Sequence, residues 1–71
     1  MTRDTLIKAI QNTDKRFPGI RDSLREIYSD ALDEIDSGAS ESNQVSLAID
    51  DIKTLVSDLF AEDYNPSEEL V

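Results

Sequence analysis

The stretch RDSLREIYSDALDEIDSG, residues 21–38, returns to an apolar residue every three or four positions and fills nearly every gap between them with an acid. Leu24, Ile27, Tyr28, Ala31, Leu32 and Ile35 fall within an arc of roughly 140° when each residue turns the helix by about 100°. Asp22, Glu26, Asp30, Asp33, Glu34 and Asp36 occupy the complementary arc. The spacing therefore predicts a helix over 19–36 with one face for a core and the other a stripe of carboxylates. Ser37 and Gly38 punctuate its end, and the small polar residues up to Asn43 predict a short connecting loop.

Downstream, the pattern becomes more regular. Val45, Ile49, Ile52, Val56 and Leu59 alternate steps of four and three, the seam of helices that cross at a shallow angle, and predict a helix over 43–62. Asp50, Asp51, Asp58 and Glu62 lie away from that seam, as does Leu47, which stands alone among polar neighbours. Upstream, Leu6, Ile7, Ile10 and Phe17 form a narrow apolar strip on a helix expected over 3–16, with Thr2 as its cap. RFPGI, residues 16–20, breaks the pattern, because the residue before Pro18 is driven toward extended geometry and Gly19 permits a sharp bend. Pro18 suits the first position of the next helix, and Ser23 to Glu26 reads as a capping box for a later start. After residue 63, Asn65-Pro66 and two further acids show no periodicity, so 64–71 is expected to be a flexible acidic tail.

The expected fold is all-α: a short N-terminal helix followed by an antiparallel helical hairpin, in one domain over 1–63. A chain of 71 residues with 38% apolar composition is at the small end of what folds alone. It has neither cysteine nor histidine, so disulfides and ordinary zinc sites are excluded as staples. Self-association is then expected to complete the core. Leu24, Ile27, Ala31, Leu32, Ile35, Val45, Ile49, Ile52, Val56 and Leu59 form the core and the seam of a homodimer resembling a four-helix bundle. No apolar run reaches the ~18 residues of a membrane span, and MTRDTLIKAI alternates charge with apolar residues where a signal peptide needs a continuous apolar core. A cytoplasmic location without membrane contact is expected.

Catalytic chemistry is not expected either. The usual nucleophile and base pairings cannot form without histidine or cysteine, and the acids lie on a solvated helix face rather than in a buried site. DALDEIDSGASE, residues 30–41, departs from an EF-hand loop by carrying Leu32 at the third position and Ile35 at the sixth. Asp22-Ser23-Leu24 matches the triplet on which acyl carrier proteins are modified, but only 22 residues precede Ser23 and Arg21 and Arg25 flank it. A serine at a helix start is the preferred reading. No metal and no cofactor is expected.

What remains is charge. The chain carries 16 acids against 7 bases, a net of −9. Residues 1–25 hold six bases against three acids; from residue 26 onward Lys53 stands alone against thirteen acids, a net of −12. Such a body repels nucleic acid, and its natural partner is a basic protein. The six acids from Asp22 to Asp36 extend over about 21 Å at ~1.5 Å per residue, or one charge per ~3.5 Å, close to the ~3.4 Å of a DNA strand. The expected function is that of a small acidic inhibitor or regulator that blocks a basic, nucleic-acid-binding protein by DNA mimicry. In this the chain resembles small phage and plasmid proteins directed against host or defence proteins. The acidic surface comprises Asp22, Glu26, Asp30, Asp33, Glu34, Asp36, Asp50, Asp51, Asp58 and Glu62. The alternative is a helical adaptor, accessory subunit or antitoxin-like partner that binds through its apolar seam.

Overall fold

The computed structural model describes residues 1–66, which form three helices, α1 (Arg3–Arg16), α2 (Arg21–Asp36) and α3 (Glu41–Phe60), with no strand among the described residues. Local chemistry sets each boundary. At the start of α1 the Thr2 hydroxyl accepts from the Thr5 N–H, and the Thr5 hydroxyl accepts from the Thr2 N–H, each at 3.4 Å. This reciprocal cap satisfies two donors that the helix itself leaves open. Asp4 in the first turn and Lys15 and Arg16 in the last complement the helix dipole.

The expected start of the second helix at Pro18 is corrected. Gly19 takes a φ of 103°, a left-handed conformation that turns the chain, and α2 opens only at Arg21. Ile20 is the N-cap, with no side-chain hydrogen bond, so the Ser23 capping box does not form either. Ile20 is buried in the core, and that apolar anchor determines where the chain enters α2. At the other end, Gly38 N–H donates to the Ile35 carbonyl and Ala39 N–H to the Glu34 carbonyl, both at 3.0 Å. With Gly38 at a φ of 107°, this is a Schellman ending. Ser40 then caps α3 by accepting from the Asn43 N–H at 3.4 Å, so α3 begins two residues before the sequence pattern suggested.

The three helices all pack against one another. Leu6 and Ala9 from α1, Leu24 and Ala31 from α2, and Val45, Ala48, Ile49, Ile52 and Val56 from α3 are buried together with Phe17, Ile20 and Tyr64. Ile10, Ile27, Tyr28 and Leu55 pack partly against this cluster. The start of α2 lies beside the end of α3, as Ser23 shares a groove with Asp58; the end of α2 lies beside the start of α3, as Glu34 shares one with Gln44.

Two expectations fail at the end of α3. Leu59 leaves the seam and is 57% exposed. With 20 residues against the 16 of α2, α3 is about 6 Å longer. Nor does the tail begin at residue 64. Tyr64 and Pro66 are buried, and the Tyr64 ring meets Phe17 edge-on at 5.1 Å. Phe17 meets Phe60 at 4.9 Å on its other side, so the segment after α3 closes the aromatic end of the core. The rest of the expected tail, 67–71, lies outside the described residues.

Candidate functional site

On α2, Leu24 and Ala31 point to the centre of the core, which divides the acidic stripe in two. Glu26, Asp30, Asp33 and Glu34 lie on the flank toward α3, while Asp22 and Asp36 project from the outer face. On α3, Asp51 and Asp58 are seven residues apart and line the facing flank. Together these six carboxylates wall a groove that runs between α2 and α3 and includes no residue of α1. Its two halves share Ile27, Asp30 and Asp51, so it is continuous.

The floor is apolar. Half-buried Ile27 and Leu55 are continued toward the loop by Ala31 and Ala48, and Leu47, 56% exposed, stands at the rim. Among the described residues no Lys or Arg lines the groove, and none of the six wall carboxylates makes an ion pair or hydrogen bond. All ten residues of the expected acidic surface are exposed. Six of them converge on the groove and four do not. Asp50 stands outside it, and Glu62 sits near Lys53, Asp63 and Tyr64 at the end of α3. The separation depends on which flank of α2 meets α3 and which meets α1, and one helix's periodicity cannot reveal that.

The bases are placed elsewhere. Arg3 reaches from the start of α1 to Glu41 at the start of α3, with its guanidinium Nε 3.3 Å and its main-chain N–H 2.9 Å from Glu41 Oε2. The main-chain hydrogen bond is the main cause that holds the Glu41 carboxyl below its ordinary pKa; partial desolvation opposes it, and the Arg3 side chain reinforces it. Arg21 donates to Asp14 at 2.9 Å across the α1–α2 turn, and that hydrogen bond raises the arginine's pKa further. Arg16 lies over the Tyr64 ring at 5.3 Å and the Phe17 ring at 5.6 Å, within cation–π range. Three of the basic residues of the front are thus engaged with the fold itself, and the α2–α3 groove is left acidic.

Between α1 and α2 a second groove is lined by Ile7, Ile10, Gln11, Arg25 and Tyr28. It collects the flank of the α1 strip that the core leaves partly open. Among the described residues no three acids converge as a metal-binding group, and no helix is long and apolar enough to cross a membrane. Neither protein-family models, nor curated proteins, nor solved structures match this chain.

Proposed function

We propose that this chain is a small acidic inhibitor or regulator that binds a basic, nucleic-acid-binding protein in place of its nucleic acid. It is a DNA mimic of the kind phage and plasmids direct against host or defence proteins, acting in the cytoplasm by binding rather than by catalysis. The observation that carries the proposal is the set of six unpaired carboxylates lining one continuous groove without a base among them. Unpaired surface charge of one sign costs folding stability through self-repulsion, and it raises the rate and selectivity of encounter with the opposite sign. In this reading α2 and α3 form an antiparallel hairpin that presents the two walls, and α1 braces it from behind.

The competing role, an adaptor that binds through the seam, finds less support. Val45, Ile49, Ile52 and Val56 are buried within a single chain, so the seam is already occupied by α1 and α2. The same burial bears on the expected homodimer, since pairing across these residues would require α1 to leave. The reading we favour is a monomer, on the burial of these seam residues within the one chain. The functional test is competition. The basic proteins that the chain retains from a nuclease-treated lysate are loaded with duplex DNA and titrated with it. Displacement that weakens as salt rises supports mimicry; a ternary complex with DNA still bound removes it.

A further inference from the structure

Resting on that reading of the acidic groove, we infer that its occupant is an α-helix of the partner, with an apolar ridge flanked on both sides by Lys or Arg. A purely electrostatic mimic needs only charges at the spacing of phosphates. This groove has more: an apolar floor of Ile27 and Leu55 that the chain leaves half-covered, and Leu47 standing 56% exposed at its rim. Charge alone gives no reason for that floor, and a convex apolar ridge is its complement.

The walls specify the shape of the ridge. On α2 the acids stand at steps of four, three and one residue, and on α3 at a step of seven. At ~1.5 Å rise per residue the wall acids are therefore spaced by about 6, 4.5 and 1.5 Å on one side and about 10 Å on the other. One side of an extended strand offers a single repeat of ~6.6 Å, which leaves the ~4.5 Å step unmatched, whereas one face of a helix offers steps of three, four and seven residues like those of the walls. The two walls are carried by adjacent packed helices, and α1 lies on their other side. A helix in the groove would complete a four-helix arrangement by ordinary ridge-into-groove packing. It would also occupy the chain as a recognition helix occupies the DNA major groove, which admits one helix between two lines of negative charge. A second copy of this chain does not fit, because apposing two such grooves sets acid against acid with no base in either lining.

The test is an NMR titration of the full-length chain at low salt. The probe is a synthetic helical peptide of about five turns with leucines on one face and lysines on both flanks, and its control is a scrambled peptide of the same composition. The inference expects saturable binding with the largest shifts at Ile27, Leu47, Ala48 and Leu55, and a clearly weaker control. Leu47→Ser is expected to weaken the peptide about tenfold, the scale of one exposed leucine becoming buried. Leu59→Ser, equally exposed but outside the groove, is expected to leave binding unchanged. Thermal melts check that both variants fold. Equal binding of the two peptides, indifferent to Leu47→Ser, would overturn the helix and its ridge while leaving the acidic surface as a binding face. Concentration-dependent self-association that Leu47→Ser abolishes would assign the groove to a second copy. No binding of either peptide would overturn both the inference and the reading beneath it.

Discussion

At the scale of single residues, Ala61 and Tyr64 matter most, and neither announces itself in the pattern. Ala61 ends α3 in the left-handed region, at φ 53° and ψ 36°, where a Cβ is crowded and glycine is the usual occupant. Ala61→Gly should relieve roughly 1 kcal/mol of strain, partly offset by the greater freedom of glycine in the unfolded chain. Urea denaturation is expected to show a variant at least as stable as the parent, and a loss above ~1 kcal/mol would contradict the strain. Tyr64 is 3% exposed, and its hydroxyl lies 3.3 Å from the buried Thr13 Oγ1, which itself donates to the Ala9 carbonyl at 2.7 Å. Truncating a buried aromatic costs about 3–5 kcal/mol, so Tyr64→Ala should leave a chain this small substantially unfolded at room temperature. Tyr64→Phe removes only the hydroxyl pairing and should cost about 1 kcal/mol. A Tyr64→Ala chain with an unchanged melting curve would show that the end of the core does not need this ring.

At the scale of elements, the existence and order of the three helices were readable from periodicity, and the ends of α1 followed from Thr2 and from the Pro18-Gly19 break. The errors have physical causes. Pro18 favours a first helical position, but the buried Ile20 outweighs that preference and moves the start of α2 to Arg21. Leu59 continues the four-three alternation yet is exposed, because helix periodicity carries no information about which positions of a face a partner covers. Tyr64 and Pro66 are buried in an aperiodic stretch, and the packing of the Tyr64 ring on Phe17 lies outside what periodicity can signal. Between elements, Arg3 ties the start of α1 to the start of α3 through Glu41. Glu41 has a lowered pKa in the folded chain, so it binds protons less readily there than in the unfolded chain. Its contribution to stability is therefore present above the unfolded pKa and is lost as pH falls through the folded one. Glu41→Gln should destabilise the chain modestly at neutral pH, and the melting temperatures of the two proteins should converge once acid protonates Glu41. A difference that persists unchanged in acid would assign the tie to something other than the carboxylate.

At the scale of the whole molecule, a front in which three of six bases are engaged and a groove walled by six acids share one small core. The composition made the sign of the surface plain, and all ten acids expected at it are exposed. What one sequence could not show was the gathering of six of them along a single groove, because that depends on how α1 and α3 share the two flanks of α2. The net charge of −9 should make the fold itself sensitive to salt. Screening relieves the repulsion over roughly 8–10 Å at physiological ionic strength, so the melting temperature should rise as salt is added while affinity for a basic partner falls. A melting temperature that drops with salt would mean that attractive pairs outweigh the repulsion. The measurement that bears most directly on the central claim is affinity capture from a nuclease-treated lysate, comparing the native chain with a variant carrying Asp30→Lys, Asp33→Lys and Glu34→Lys. All three sites are exposed, and circular dichroism confirms whether the variant keeps its helices. The account predicts that the native chain retains nucleic-acid-binding proteins, that these elute as salt rises, and that the variant retains none of them. The same proteins held equally by the folded variant, or a single partner that stays bound through high salt, would contradict it.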